Sequence, residues 1–442
     1  MHYDIICIGY GQGAHELSLT LASKGWKVAV IEKSETNYGG SCINIGCIPT
    51  KILAHDAENH KAYAEAVDRR NQVGKKKLQV EIDDMEEPDN ITLFTGPASF
   101  VDDHTVKVET KKGDVTLHSE TIVISTGSEP VFPPIDGLEE ADHIYTSTTL
   151  QTEKNLPQSL GILGGGNIGL EFASIYSSYG SDVTLFETAD TFMGKEEPDI
   201  ADEMKKELEH KGIAIHVGTS VEKVENEANQ VVVTTDSGET YRFDALLVAA
   251  GRKPHISSLN LGQTAIQLTE NEGIQTDDYL RTSVEGVFAI GDIRGEEMFT
   301  YITKKDAEIV LSQLLNTEDK RSLKDRQAIP YSIFTDPPFA RVGLTEKEAV
   351  EKGYSVWTNA VPVKATVRAA VINDERGLFK AVVDKETGLI LGASLFGDQA
   401  HELVNFIKLA MDNALPYTVL RDQMKTHPVM TEIFSSLFDF SD

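Results

Sequence analysis

Residues Tyr3 to Lys33 read YDIICIGYGQGAHELSLTLASKGWKVAVIEK, and their pattern indicates the architecture of the chain. An apolar run typical of a buried strand leads through a glycine turn and an amphipathic helical pattern to a second apolar run that ends at Glu32. Gly9 permits the tight turn, Gly11 lets a pyrophosphate approach the backbone, and Ala14 lets the helix pack on the strand. The stretch therefore predicts a βαβ unit with a phosphate site at the helix N-terminus.

A second stretch repeats this order. SLGILGGGNIGLEFASIYSSYGSDVTLFET, which begins at Ser159, has a glycine turn at Gly164, Gly166 and Gly169 and a second apolar run that ends at Glu187. Glu187 lies 23 residues after Gly164, and Glu32 lies 23 residues after Gly9. A carboxylate at this point of a βαβ unit accepts hydrogen bonds from a ribose 2′-hydroxyl. The chain is therefore predicted to contain two nucleotide-binding folds.

The residues after Glu187 predict which nicotinamide cofactor the second fold prefers. The segment TADTFMGK follows this glutamate and carries no arginine. A 2′-phosphate needs an arginine near the ribose and would meet carboxylates here. We therefore expect NADH to be preferred over NADPH.

Composition narrows the class of protein. The chain has 442 residues, 41 basic against 70 acidic residues, and a net charge of −29. This charge repels nucleic acids and anionic membrane surfaces, and the longest apolar runs are far shorter than the roughly 20 residues of a membrane-spanning helix. The start MHYDIICIGYG lacks the pattern of a signal peptide, and three cysteines are too few for a secreted disulfide framework. We expect a cytoplasmic protein of two to four domains, with no nucleic-acid or membrane partner.

Two cysteines stand out in GGSCINIGCIPTK, from Gly39 to Lys51. A zinc site would require four ligands, and no further Cys-x-x-Cys or close histidine accompanies Cys42 and Cys47. On a regular helix, Cα atoms five residues apart lie about 8 to 9 Å from each other, so a bridge between them would be strained and easily reduced. The helix dipole and Lys51 would stabilise a thiolate near Cys47. We therefore predict a redox pair beside a flavin, and a plain core position for Cys7.

The same segment resembles the active-site signature of the flavin-dependent pyridine nucleotide-disulfide oxidoreductases, the family of glutathione reductase, lipoamide dehydrogenase and mercuric reductase. Further segments that resemble the family follow in order: GPASF at Gly96, IVISTGSEP at Ile122, VAAGRKP at Val248, VFAIGD ending at Asp292, and FTDPPFARVGLTE at Phe334. The resemblance implies an α/β fold with two Rossmann-like domains, for FAD and NAD, and a C-terminal α+β dimerisation domain. The domains are expected at residues 1–150 and 259–326 for FAD, 151–258 for NAD and 327–442 for dimerisation.

The glycine turns and the resemblance together assign a set of residues to FAD and NADH. These cofactor-binding residues are Gly9, Gly11, Ala14, Glu32, Lys33, Gly40, Ser41, Ala98, Thr126, Gly127, Gly164, Gly166, Ile168, Gly169, Glu171, Glu187, Gly251 and Asp292. Asp292 is implied in contact with the ribityl chain of the flavin. Lys51 is implied to pair with Glu171 beside the flavin, although Glu171 taken alone resembles an ordinary exposed helix glutamate.

A further element is THPVMTE, near the end of the chain. Taken locally, Thr426 would cap a helix with Pro428 in its first turn, and His427 would be a surface histidine. The resemblance instead implies that His427 and Glu432 form a dyad that reaches the cysteines of the partner subunit. In this arrangement Cys42 is the nucleophile, His427 exchanges protons, Glu432 orients the imidazole, and a homodimer is required for catalysis.

The substrate is predicted from a closer resemblance within the family. GGSCINIGCIPTK, MFTYITKKDAEIV, PPFARVGLTE and LPYTVLRDQMKTHP resemble the bacterial reactive-chlorine-resistance flavoproteins, which are associated with reduction of hypothiocyanous acid and of copper(II). The chain lacks the C-terminal cysteine pair of mercuric and thioredoxin reductases, and Asn167 replaces the tyrosine that covers the nicotinamide pocket in some relatives. We expect a small oxidant, hypothiocyanous acid, as substrate.

Two other functions stay open at this point. One is a general disulfide reductase acting on lipoamide or glutathione. The other is a flavin-bearing redox sensor or complex subunit without turnover of its own. Turnover of NADH with each substrate distinguishes them.

Overall fold

The computed structural model describes residues 1–440, and these divide into two compact units. The first unit comprises Met1–Leu53, Glu65–Val131 and Gly251–Arg326, and the second comprises Ala54–Ala64, Phe132–Ala250 and the described part of Gln327–Asp442. The four-segment domain division expected from the sequence stays a prediction.

A five-stranded parallel sheet forms the centre of the first unit. Its strands, in spatial order, are Val287–Ala289, Ile122–Ile124, Ile5–Ile8, Val28–Glu32 and Ile91–Thr95. The β-branched residues of the central strands are buried on both faces, as parallel sheets require. The helix Gln12–Ser23 joins two of these strands and buries Leu17 and Leu21 against the sheet, which confirms the predicted βαβ unit.

Further elements of the first unit surround this sheet. An antiparallel sheet contains Ala98–Asp102, Thr105–Thr110 and Gly113–His118, and a two-stranded ribbon pairs Ser128–Pro130 with Arg252–Pro254. The helices that begin here are Ser41–Asn44, Cys47–Glu58 and Thr300–Leu314, with short 3₁₀ turns at Leu261–Gln263, Gly291–Arg294 and Leu323–Asp325. The charged segment that begins at Arg69 lies in the helix Tyr63–Glu86 and its exit loop, and many of its side chains are exposed.

The second unit contains a second parallel sheet with the same plan. Its five strands, in spatial order, are Ala214–His216, Asp182–Phe186, Ser159–Leu163, Ala245–Val248 and Ile144–Thr146. The helix Asn167–Tyr179 follows the strand Ser159–Leu163, which confirms the second βαβ unit. The other elements of this part are the helices Ser147–Leu150 and Pro198–His210 and an antiparallel sheet of Val221–Glu227, Gln230–Thr235 and Thr240–Phe243.

The C-terminal part of the second unit is an α+β domain. Its five-stranded antiparallel sheet has the spatial order Tyr331–Ile333, Phe339–Gly343, Ile390–Gly397, Gly377–Asp384 and Val356–Pro362. The helices are Glu346–Glu351, Val367–Ile372, Ala400–Asp412, Thr418–Asp422 and Ile433–Leu437. Aliphatic and aromatic side chains such as Phe379, Leu395, Ile407 and Phe434 form its core. The two Rossmann-like sheets and this domain are the architecture that the sequence predicts.

No helix within residues 1–440 is both long enough and apolar enough to span a bilayer.

Candidate active site

The first glycine turn has the geometry of a phosphate site. Gly9 has a φ of +94°, and a Cβ there would lie 2.4 Å from the Ser125 carbonyl oxygen, so only glycine fits. Gly11 is the N-cap of the helix Gln12–Ser23, and no side chain caps that end. A Cβ at Gly11 would have only the Ser125 Oγ near it, at 4.0 Å. The helix N-terminus therefore has room for an anionic group beside its N–H donors.

Glu32 ends the second strand of this unit and is held by two backbone donors. Its Oε2 accepts a hydrogen bond from the Tyr10 N–H at 3.1 Å, and its Oε1 accepts one from the Ser34 N–H at 3.1 Å. The side chain is 5% exposed, and burial raises the pKa of its carboxyl group although these hydrogen bonds oppose the shift. Each oxygen keeps a second lone pair, so the carboxylate can also accept from a ribose hydroxyl.

The second glycine turn repeats these contacts. Gly164 has a φ of +106°, and Gly166 caps the helix Asn167–Tyr179, in whose first turn Ile168 and Gly169 lie. Glu187 Oε2 accepts a hydrogen bond from the Gly165 N–H at 2.8 Å, and its Oε1 accepts one from the Ala189 N–H at 2.9 Å. The equal spacing seen in the sequence thus produces an equal hydrogen-bond pattern.

The segment with the two cysteines packs directly against the first glycine turn. Gly40 has a φ of +79°, and a Cβ at this position would lie 2.8 Å from the Gly11 Cα. Ser41 begins the helix Ser41–Asn44 immediately afterwards. The cysteine segment and the first glycine turn are therefore neighbours within the first unit.

Cys42 and Cys47 do not lie on one regular helix, which corrects the geometry assumed from the sequence. Cys42 lies on Ser41–Asn44, and Cys47 begins the separate helix Cys47–Glu58. The backbone leaves helical geometry at Ile45, whose φ is −140°. This break brings the two thiols within hydrogen-bonding distance of each other, so the predicted strain of a bridge across a continuous helix does not apply. The two side chains are close enough to act as a pair.

The stabilised thiolate that the sequence predicts near Cys47 stays a prediction, whereas the interactions around Cys42 favour its neutral thiol. Its hydrogen bond with Cys47, burial and the charge of a Cys47 thiolate raise the pKa of Cys42. The hydrogen bond from Thr300 and the charge of Lys304 oppose this shift. The Thr300 Oγ1 also lies 3.7 Å from the Cys47 Sγ.

Thr300 and Lys304 were missed as site residues from the sequence. Thr300 is 253 positions from Cys47, and in the sequence its segment stands out only by its resemblance to relatives. No local spacing links the two segments. Cys7, by contrast, is fully buried as predicted, and burial raises the pKa of its thiol to about 11.

The other predicted flavin residues are placed around the same sheet. Asp292 is nearly buried and accepts a hydrogen bond from the Ser128 hydroxyl at 2.7 Å, and burial raises the pKa of its carboxyl group. The Thr126 hydroxyl donates to the His255 carbonyl at 2.9 Å, and Lys33 Nζ lies 3.3 Å from the His255 ring. The rest lie in turns or strands of the first unit: Ala98 in Ala98–Asp102, and Gly127 and Gly251 at positive φ.

Glu171 is not the exposed helix glutamate that its local sequence suggests. It is 8% exposed, and its Oε1 accepts a hydrogen bond from the Phe334 N–H at 3.0 Å. Lys51 lies on the helix Cys47–Glu58, in the other compact unit. The pairing of Lys51 with Glu171 stays a prediction.

His427 and Glu432 form the predicted dyad. The His427 Nδ1 lies 3.0 Å from the Glu432 Oε1, and the Glu432 Oε2 accepts a hydrogen bond from the Val429 N–H at 2.9 Å. The bond with His427, together with that from Val429, lowers the pKa of Glu432. The local prediction of a helix capped by Thr426 is wrong, because the next helical turn begins at Met430. His427 is therefore held by its carboxylate, with 64% of its side chain exposed.

Comparisons with known proteins agree with this arrangement. A family model described as pyridine nucleotide-disulphide oxidoreductase matches residues 3–307. The model of the dimerisation domain of the same family matches residues 329–437.

The chain therefore belongs to the pyridine nucleotide-disulphide oxidoreductase family.

Individual members of the family match almost the whole chain. The probable pyridine nucleotide-disulfide oxidoreductase RclA of Escherichia coli K12 is 43% identical over 436 residues, which cover 99% of this chain and 98% of that protein. A mercuric reductase of Lysinibacillus sphaericus is 33% identical and covers 98% of this chain and 81% of its own. A solved structure, the Cu(II) complex of the HOCl-induced flavoprotein disulfide reductase RclA from Escherichia coli, has a TM-score of 0.96 at 42% identity and covers 99% of each chain.

Membership of the family confirms several predictions. The family is FAD-dependent, so the chain is a flavoprotein oxidoreductase with a dimerisation domain. The residues fit this cofactor, because Gly11 leaves an open approach to a helix N-terminus, Glu32 keeps acceptor capacity at the strand end, and Gly40 brings the cysteine segment alongside. The first unit is thus suited to hold FAD next to the cysteine pair.

Proposed function

We propose that this flavoprotein uses Cys42 and Cys47 to reduce a small oxidant, hypothiocyanous acid, at the expense of NADH. The observation that carries the proposal is the hydrogen-bonded pair of thiols in the segment that packs on the first glycine turn. The similarity to RclA, described as an HOCl-induced flavoprotein disulfide reductase, supports a role in defence against oxidants.

The chain's own residues have separate tasks around the cofactors. When bound, FAD supplies the two-electron exchange between the nicotinamide and the cysteine pair. Gly11 and the following N–H groups bind its pyrophosphate, Glu32 binds its adenosine ribose, and Asp292 orients its ribityl chain. Glu187 binds the ribose of NADH, and its carboxylate would repel a 2′-phosphate, so NADH is preferred over NADPH.

The chemistry at the cysteines balances as two displacements. The Cys42 thiolate attacks the sulfur of hypothiocyanous acid, an S–S bond forms, and the S–O bond breaks. The departing oxygen leaves as water after protonation by His427 of the partner subunit, which Glu432 orients. The Cys47 thiolate then attacks the Cys42 sulfur, thiocyanate leaves, and the disulfide forms. The oxidant gains the two electrons that the dithiol loses.

The charge of the chain supports a small substrate. Glutathione disulfide carries several carboxylates, and the net charge of −29 disfavours its approach. Hypothiocyanous acid is small and neutral in its protonated form, so it does not meet this barrier.

The shared site requires a homodimer. His427 and Glu432 form their dyad at an exposed position of the domain that matches the dimerisation model. Mixed dimers that combine Cys42→Ser subunits with His427→Ala subunits should regain part of the activity, because one of their two sites is intact. A fully active monomer would contradict the shared site.

Copper(II) is a second candidate substrate. A related solved structure is a Cu(II) complex, and soft thiolates favour the copper(I) product. The acidic surface of this chain would attract the cation.

Steady-state NADH oxidation with a panel of substrates tests the proposal. We expect kcat/KM for hypothiocyanous acid to exceed those for glutathione disulfide and lipoamide at least tenfold, and Cys42→Ser to abolish turnover. An equal or higher value for either disulfide would identify a general disulfide reductase, and no turnover with any substrate would favour a sensor. Copper reduction that survives Cys42→Ser would show that the metal is reduced elsewhere.

A further inference from the structure

The helix Thr300–Leu314 begins beside the cysteine pair and takes no part in the proposed chemistry. Its first residue, Thr300, lies 3.7 Å from the Cys47 Sγ through its hydroxyl and also forms a hydrogen bond with Cys42. Residues three and four apart share one face of a helix. The face that begins with Thr300 therefore continues to Lys304.

Lys304 differs from its neighbour Lys305 in what its charge acts on. Lys305 Nζ lies 2.6 Å from Glu308 Oε1, so its charge is compensated on its own helix. Across residues 1–440, Lys304 forms no ion pair with a carboxylate. Its charge instead attracts a thiolate at Cys42. Two adjacent lysines on one helix thus have different electrostatic partners.

We propose that Lys304 is a specificity-determining residue, whose charge promotes the Cys42 thiolate and draws small anionic electrophiles to it. The inference goes beyond the proposed function, whose substrate is neutral, and rests on it in taking Cys42 as the nucleophile. An anion approaching Cys42 must overcome the negative charge of the chain as a whole, and a nearby uncompensated cation lowers this barrier. Oxidants that carry a single negative charge are the class that benefits most.

Several groups around Cys42 act on the pKa of its thiol, some in the opposite direction to Lys304. Cys47 raises the pKa of Cys42, whereas Thr300 and Lys304 lower it. Tyr301, close to Cys47, has a pKa raised by burial and by Glu297, so it stays neutral at physiological pH. Lys51 lies one helical turn after Cys47. The Thr300 hydrogen bond favours a Cys42 thiolate as well, so removing Lys304 removes only part of the stabilisation.

Paired alkylating reagents measure the proposed charge directly. Iodoacetate and iodoacetamide react alike, since the thiolate sulfur forms a bond to carbon while iodide leaves, but only iodoacetate is an anion. The full-length, FAD-loaded protein is reduced with dithiothreitol, desalted under argon and alkylated at a series of pH values. Mass spectrometry then gives the rate at Cys42 separately from that at Cys47. The ratio of the iodoacetate rate to the iodoacetamide rate at Cys42 measures the local electrostatic potential. The pH at which the Cys42 rate is half-maximal measures the pKa of its thiol.

For Lys304→Met we expect the iodoacetate to iodoacetamide ratio at Cys42 to fall about threefold to tenfold. The pH midpoint should rise by about half a unit to one unit. Lys304→Arg should restore both values, because it keeps the charge. Lys305→Met, the matched control, should leave both unchanged. An unchanged ratio in Lys304→Met, or an equal change in Lys305→Met, would overturn the proposal.

The result is separable from the proposed function. Alkylation needs no turnover, so the effect of Lys304 can be present even if hypothiocyanous acid is not reduced. If the wild type reduces hypothiocyanous acid and Lys304→Met retains the full iodoacetate preference, the function stands and this inference fails.

Discussion

The two βαβ units share one hydrogen-bond plan but differ in what surrounds it. In each unit a glutamate at the end of the second strand accepts from the residue after the first glycine and from the residue two positions after itself. The first unit places Tyr10 after its first glycine, and the second places Gly165 there. The equal spacing therefore determines how the glutamate carboxylate is hydrogen-bonded. The side chain of the residue after the first glycine, Tyr10 or none at Gly165, determines which other elements the turn contacts.

The first turn is tied to other parts of its unit. The Tyr10 hydroxyl donates to the Glu81 carbonyl at 2.6 Å, and His15 Nδ1 lies 2.6 Å from Glu81 Oε2. Gln12 Nε2 donates to Glu81 Oε1 at 3.2 Å and to the Gly39 carbonyl at 3.3 Å. Hydrogen bonds thus connect the first glycine turn to the long helix Tyr63–Glu86 and to the start of the cysteine segment.

The second turn is more open. A Cβ at Gly166 would have no atom within 4 Å, and Gly166 itself is exposed. Gly169 is the crowded position, because a Cβ there would lie 2.0 Å from the Gly164 carbonyl oxygen. We interpret the first turn, which is hydrogen-bonded to Glu81 and Gly39, as suited to a cofactor that stays bound, and the exposed second turn as suited to one that exchanges.

Among the changes that distinguish the two turns, Gly169→Ala is expected to have the largest effect on the free energy of unfolding. The added Cβ collides with backbone, which cannot yield as a side chain could, so we expect a loss of about 2–4 kcal/mol in the free energy of unfolding. The first unit tolerates alanine at the equivalent position, and Ala14→Gly should cost only about 1 kcal/mol. Urea denaturation of both variants measures the difference. Equal losses would mean that the two helices pack on their strands alike.

A smaller effect is expected when each strand-end carboxylate becomes an amide. Glu187→Gln places an NH₂ group against the N–H of Gly165 or Ala189, so the KM for NADH should rise about tenfold, or about 1.4 kcal/mol. Glu32→Gln should lower the FAD content of the purified protein and leave the KM for NADH of the loaded fraction unchanged. Absorbance of the bound flavin measures the FAD content, and steady-state kinetics measure the KM for NADH. A similar KM increase in both variants would contradict the assignment of one cofactor to each unit.

The smallest effect concerns the network that only the first unit has. Burial alone would raise the pKa of Glu81, but the hydrogen bonds from His15, Gln12 and Tyr10 and the charge of His15 lower it. A lowered carboxyl pKa contributes stability above its ordinary value of about 4.3, and this contribution disappears as the pH falls through the lowered value. Glu81→Gln should therefore cost about 1 kcal/mol at neutral pH and nothing in strong acid.

Urea denaturation between about pH 7 and about pH 3 measures this dependence. Asp84→Asn is the matched control, because Asp84 Oδ2 lies 3.6 Å from the same imidazole and is far more exposed than Glu81. Its cost should be smaller than that of Glu81→Gln. If Glu81→Gln lowers the free energy of unfolding by the same amount in acid, packing and not charge attaches the helix Tyr63–Glu86 to the first turn.

Much of the fold and part of the site could be predicted from short stretches of sequence. The periodic apolar runs and the glycine-to-glutamate spacing predicted both βαβ units, because strands, turns and their caps are set by neighbours within about 30 residues. The pair of His427 and Glu432 joins residues five positions apart, and the structure brings them together as the resemblance implies.

Other features depended on contacts that no local pattern encodes. The separation of Cys42 and Cys47 onto two helices follows from the break at Ile45, where a continuous helix had been assumed. Glu171 is buried through its bond to Phe334, 163 positions away. Periodicity describes which face of an element is apolar, but it does not say which distant element covers that face.

Residue types at short, regular spacings were enough to predict the two nucleotide folds and the family, and they still carry the prediction of a redox role for the cysteine segment. Three-dimensional contacts were needed to show that Thr300 lies beside Cys47, that the charge of Lys304 acts on Cys42 and that Glu81 forms hydrogen bonds with the first glycine turn. Packing in three dimensions sets the electrostatic environment of a thiol or a carboxylate. Packing brings together residues that are far apart along the chain.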